Sequence, residues 1–167
     1  MTCIPFLAAF GAAVSGCPDP APAAPDTGPP SFYRKLDAID ARIDPLAARD
    51  ILSIYRRNHG LSAVSVDPDL QRVAEAQASA MAKAGVASQT LRGGLKARLA
   101  ASRLTRATAV ENVSAGYHTL AEAFSGWRQS PLHNSSMLKP GITRIGIATA
   151  FAPGSKYRVF WSLVMTD

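Results

Sequence analysis

The hydrophobic period of the chain changes in its C-terminal third, and that change most limits what it can fold into. Arg144 to Phe151 and Tyr157 to Met165 are short, β-prone runs, the second rich in Val, Phe, Trp and Leu. Between them, Ala152-Pro153-Gly154-Ser155-Lys156 is turn chemistry, so the pair is expected as an antiparallel hairpin. Everything with a clear pattern upstream is helical. Helices first and strands last imply an α+β fold, with helices packed on a small, mainly antiparallel sheet.

The helices carry their own start and stop signals. Leu46 to Asn58 places Ala48, Ile51, Leu52 and Tyr55 on one face, and His59-Gly60 ends it. A second helix opens at Asp67-Pro68-Asp69: Asp67 suits the N-cap, Pro68 the first helical position, and Asp69 the positive end of the dipole. Leu70, Val73, Ala74, Gln77, Ala78 and Met81 form its buried stripe, and Gly85 closes it. A polar loop, Val86 to Gly94, leads to a short helix with Leu95 and Leu99 one turn apart. Thr105 to Ser114 reads as strand or extended chain. Thr119-Leu120-Ala121-Glu122 is a capping box, and Leu120, Ala123, Phe124 and Trp127 line the helix it opens, with Trp127 as a core anchor. Ser130-Pro131 is expected to stop it.

The N-terminal part is different in kind. In Met1 to Cys17, Ile4 to Val14 is an apolar run of signal-peptide length, too short for a stable membrane span. It ends in Val14-Ser15-Gly16-Cys17, which resembles the lipobox of bacterial lipoproteins and implies lipidation of Cys17. Residues 18–45 then form a Pro-rich spacer and an edge segment, in which CPDPAPAAPDTGPP has no large apolar residue to bury. The folded domain is expected over 46–167, long enough to build one core. Cys3 and Cys17 are the only cysteines, so 18–167 can hold neither a disulfide nor a thiolate metal site nor a Cys nucleophile.

The net charge is +6 among 167 residues, and it is unevenly spread. Between Ala76 and Val110 stand Lys83, Arg92, Lys96, Arg98, Arg103 and Arg106 with no acidic residue. This run reads as a solvated helix face and loop that an anionic lipid or cell-wall surface would attract. No aromatic residues interleave for base stacking and no nucleic-acid motif is present, so nucleic acid is not an expected partner.

Residues able to do chemistry gather in Val110 to Leu138: Glu111-Asn112, Trp127, Ser130 and, after the Ser-Pro turn, His133. Together with Ile54-Tyr55-Arg56-Arg57-Asn58-His59-Gly60-Leu61, the Val66-Asp67-Pro68-Asp69-Leu70 helix start, Ala80-Met81-Ala82, Ser130-Pro131-Leu132-His133, Ile145-Gly146-Ile147 and Phe160-Trp161, their order resembles the CAP superfamily of cysteine-rich secretory, antigen 5 and pathogenesis-related proteins, in a short bacterial form without cysteines. The resemblance implies a three-layer α-β-α sandwich with an open cleft. In that family two His and two acidic residues line the cleft and in some members hold a divalent metal such as zinc. Glu111 and His133 match the family's Glu and second His. Gln89 falls where most members have the first His, and Ser130 where longer members have the second Glu. A Gln amide is a poor substitute for imidazole, so Glu111 and His133 make at most a two-donor site and metal binding is expected to be weak or absent.

Two functions from different classes fit these residues. A hydrolase would use His133 as general base, Glu111 to orient it and Ser130 as nucleophile, but no nucleophile-elbow glycines flank Ser130. The other reading is a lipid-anchored, non-catalytic binding module of the bacterial envelope, whose cleft residues are Gln89, Glu111, Ser130 and His133. Its partners would be an anionic lipid or cell-wall surface, a small hydrophobic ligand or another envelope protein, and it would touch the membrane only through its anchor. On the blandest reading the cleft is vestigial: Glu111 and His133 share a charge-assisted hydrogen bond, Asn112 satisfies nearby backbone groups, and His59 and His118 serve helix ends.

Overall fold

The computed structural model describes residues 28–106 and 108–167; the leader, Cys17 and most of the Pro-rich spacer lie outside the described residues. A single 3-10 turn, Ser31–Tyr33, precedes α1, Pro45–Arg57. Asp44 caps α1 by accepting from the amides of Leu46 and Ala47, and Pro45 sits at the first helical position. The short strand β1, Ser65–Val66, leads into α2, Pro68–Ala84. Its ends are as expected: the Asp67 carboxylate accepts from Asp69 and Leu70, and Gly85 adopts the left-handed conformation, φ +68°.

After a 3-10 turn at Leu91–Gly93 come α3, Gly94–Ala101, and β2, Ala109–Ala115. Then follow α4, Leu120–Gln129, and α5, Pro131–Met137. The hairpin strands β3, Arg144–Phe151, and β4, Val159–Thr166, complete the fold.

The strand order is β1-β3-β4-β2. β4 is central and buried along its whole length, antiparallel to β3 on one side and to β2 on the other. β1 adds one parallel step to the start of β3, which the sequence pattern did not announce.

Strand alternation then sends side chains to two cores. On one face Leu70, Val73, Ala74 and Ala78 of α2 and Leu99 of α3 pack against Ala148 and Val164. On the other, Leu52, Leu120, Phe124, Trp127 and Met137 from α1, α4 and α5 meet Ile145, Ile147, Trp161 and Leu163. Trp127 and Trp161 lie edge to face at 5.9 Å, and their indole N–H groups donate to the Ser114 hydroxyl and the Tyr117 carbonyl. The result is the expected α+β three-layer sandwich. Among the described residues no helix is long and apolar enough to cross a membrane.

One close approach sets the geometry of the sheet's far side. A Cβ on Gly146 of β3 would overlap the Leu70 carbonyl group and the Gln71 nitrogen. Only Gly lets the first turn of α2 rest directly on β3 there. The Asp67 and Gln71 positions follow from that contact.

Candidate functional site

β2 is an edge strand, and its alternation separates neighbours: Glu111 points to the α2–α3 side and Asn112 to the α4–α5 side. Glu111 is only 5% exposed, so its charge needs a partner. Arg98 of α3, equally buried, supplies it through two parallel bonds, Nη1 to Oε1 at 2.8 Å and Nη2 to Oε2 at 2.7 Å. The Ser162 hydroxyl of β4 donates to Oε1 at 3.1 Å. Both oxygens of the carboxylate are therefore engaged by a guanidinium fork and a hydroxyl, an arrangement with strong geometric specificity.

This corrects the reading of Arg98 as part of a solvated basic face. Its neighbour Leu99 is buried as well, and α3 closes down on β2 with both side chains inward. A signal existed: an acid that alternation places inside a sheet demands a cation, and Arg98 stands beside the inner leucine of the nearest helix.

Gln89 and His133 converge on β2 in another way. The Gln89 side-chain amide donates from Nε2 to the main-chain oxygen of Glu111 at 2.8 Å, and the Gln89 main-chain carbonyl accepts from Arg98 Nη2 at 3.4 Å. The His133 ring sits against the carbonyl of Val113, two residues along the same edge. Burial lowers the His133 pKa below its ordinary value, and the Val113 carbonyl partly opposes that shift. His133 is not in a turn. Pro131 starts α5 where it was expected only to stop α4, because its missing N–H is harmless at a helix's first position.

The expected bond between Glu111 and His133 is replaced by separate fastenings. Asn112, fully buried, donates from Nδ2 to the main-chain oxygen of His133 at 3.0 Å, tying β2 to α5 across the other face. Ser130 stands between α4 and α5; its carbonyl accepts from Asn134, and its side chain makes no cap. Among the described residues, no hydrogen bond or ion pair joins Glu111 to His133, or Ser130 to either, and no group of three or more His, Asp, Glu or Cys gathers at any point. His59 Nδ1 lies 2.8 Å from the Tyr55 carbonyl at the end of α1, and His118 Nδ1 lies 3.4 Å from Asp37.

The sequence model of the cysteine-rich secretory protein family, CAP, matches residues 50–165. The chain belongs to the CAP family. No protein of curated function matches it. Among solved structures, this CAP domain resembles an extracellular protein containing an SCP domain from Bacillus anthracis str. Ames, with 23% identity and a TM-score of 0.63 over 72% of this chain and 39% of that one. An outer surface protein of Borrelia burgdorferi gives 17% identity and a TM-score of 0.67, over 75% of this chain and 96% of that one. A cysteine-rich secretory protein of Staphylococcus aureus subsp. aureus Mu50 gives 17% and 0.58, over 72% and 37%. The chain thus spans well under half the length of the Bacillus and Staphylococcus chains, and what it shares with all three at these identities is the fold. In this CAP domain, Glu111 faces a guanidinium, and Gln89 and His133 beside it address main-chain oxygens.

Proposed function

We propose that this CAP-domain chain is an exported, lipid-anchored binding module of the bacterial envelope, whose cleft works without metal and without turnover. The observation that carries the reading is the buried fork between Arg98 and Glu111. A divalent ion needs several N or O donors free to face it. Glu111 would have to leave Arg98, stranding a buried cation at a penalty of about 3–5 kcal/mol. The same pair disfavours a hydrolase, since the acid that would orient His133 is already committed.

Export is supported by the leader and by the extracellular and outer-surface proteins that share the fold. Lys83, Arg92, Lys96 and Arg103 are exposed and fit attraction to an anionic lipid or cell-wall surface. A small hydrophobic ligand or another envelope protein is the other class of partner.

Zinc titrated calorimetrically into the full chain should give no stoichiometric heat; a one-to-one isotherm sinks the metal-free reading. Labelling with a palmitate analogue should mark the exported chain and vanish in Cys17→Ala. A label that survives the substitution sinks the anchor.

A further inference from the structure

The two edges of the sheet are not equally finished. At the β3 edge the sequence of main-chain partners can be followed step by step. Ile145 is covered by β1, with Asp67 N–H donating to its carbonyl at 2.9 Å. Ile147 is covered by a side chain: Gln71 Nε2 donates to its oxygen at 2.7 Å, while its N–H donates to Gln71 Oε1 at 3.1 Å. That amide imitates one peptide unit of a neighbouring strand. It shows that the edge at this level is open to main-chain-like partners, and that among the described residues Gln71 alone meets them.

Strand period places the next outward-facing groups on Thr149 and Phe151. The pairing partner of Phe151, Val159, sends its carbonyl the other way, to the Gly116 amide, which fixes Phe151 as outward-facing too. Among the described residues, no strand borders β3 beyond Ile147. Unpaired edges of this kind are templates for another chain.

The space beside Thr149 and Phe151 is a groove of about 600 Å³. One wall is α2, with Gln71, Glu75 and Ser79 along it. These recur every four residues, about 6 Å on a helix, close to the roughly 6.8 Å between alternate residues of a strand. The wall therefore keeps step with β3, and only its first position, Gln71, closes the edge. The facing wall is the segment before α1, with Ile39, Arg42 and Ile43, together with Pro45 at the start of α1; Ile39 is 75% exposed. Glu75 on one wall and Arg42 on the other are exposed; Glu75 accepts from Gln71 Nε2 at 3.2 Å and Arg42 donates to the Ile39 and Ala41 carbonyls, and no ion pair to either is found among the described residues.

We propose that this groove takes an extended peptide from another protein as a fifth strand, paired to Thr149 and Phe151. Charge and shape select its side chains. Positions turned to α2 carry basic groups for Glu75, and positions turned to the other wall carry apolar groups for Ile39 and Ile43, with an acid within reach of Arg42. The recessed edge suits a single extended chain and not the equally recessed edge of a second copy.

The probe is a blocked hexapeptide of alternating Val and Lys, added to the nitrogen-15-labelled full chain, with amide exchange as readout. In the free protein the Thr149 and Phe151 amides should exchange fast while Ile147 is protected. The peptide should protect both by about tenfold or more. Of two versions N-methylated on all Val or all Lys amides, one should lose this protection and the other keep it, because only one set of N–H groups faces β3. Glu75→Lys, at an exposed position, should reverse the preference between the Val-Lys and a Val-Glu peptide while Ile147 stays protected, which shows that the Gln71 cap survives the loss of its bond to Glu75. Four results overturn the proposal. Thr149 and Phe151 are already protected in the dilute free chain, so its own N-terminal part covers the edge. Protection rises with protein concentration alone, so a second copy does. Both N-methylated peptides bind alike. Or the Val-Lys peptide gives no protection.

Discussion

β2 and β3 are the long outer strands of one four-stranded sheet, yet their outer edges meet opposite treatments. Along β2, Gln89 takes the Glu111 carbonyl and His133 sits against that of Val113, so successive outward oxygens are met by side chains from two different segments. Along β3 the covering ends with Gln71 at Ile147, and Thr149 and Phe151 face a groove. The difference recasts the cleft. Gln89 and His133, expected from the resemblance as cleft residues, here close a strand edge. The Glu111 side chain leaves that edge for the α2–α3 face of β2, where Arg98 holds it. Reactive residue types are thus spent on main-chain satisfaction at one edge, while the other edge keeps free main-chain groups with few reactive side chains nearby.

The largest effect should come from breaking the support behind β2. Arg98→Met leaves the Glu111 carboxylate buried without a cation and should destabilise by about 3–5 kcal/mol in urea unfolding. Adding Glu111→Met to it should recover most of that loss, because two apolar side chains need no partner. If the double variant is no more stable than Arg98→Met, the pair is not what secures this edge. On the β3 side, Gly146→Ala forces a methyl into the Leu70 carbonyl group and should lower stability by about 2–3 kcal/mol. It should also speed exchange at the Ile147 amide, since Gln71 reaches that amide only while α2 rests on β3.

A smaller contrast separates the two glutamines. Gln71→Leu removes a donor and an acceptor from Ile147 and should destabilise by about 1–2 kcal/mol, whereas Gln89→Leu removes one bond at an exposed position and should lose about 0.5–1 kcal/mol. Equal losses would mean that the two edges are capped to the same extent.

What could be read in advance follows from the range of the interactions. The start of α2 was legible because Asp67, Pro68 and Asp69 are a local signal, as was the hairpin around Pro153-Gly154. Pro131 was ambiguous: the same ring ends one helix and begins the next, and only packing of α5 decides between them. β1 is a two-residue strand with no period of its own. The pairing of Arg98 with Glu111 spans 13 residues and that of Gln71 with Ile147 spans 76, so neither leaves a spacing that a linear pattern could show. Their residue types carried the hint instead, a buried acid in need of a cation and a strand edge in need of an amide. The capping box was half right. Thr119 accepts from the Glu122 amide, but Glu122 reaches back to His118 N–H, one residue beyond the cap.

The smallest effect should be a pH dependence at the β2 edge. Burial holds the His133 pKa below its ordinary value of 6.5, so between those values the unfolded chain binds a proton that the folded chain refuses. The folded state is then favoured fully above the unfolded value and loses stability as pH falls through it. Wild type should therefore lose more stability than His133→Gln between about pH 7 and about pH 5, the difference cancelling any contribution from His59 and His118. The Val113 carbonyl works in the other direction, because it favours the protonated ring. If wild type instead gains stability relative to His133→Gln on acidification, that carbonyl outweighs desolvation. His133 would then cap β2 most firmly when charged, and the β2 edge would tighten with acid.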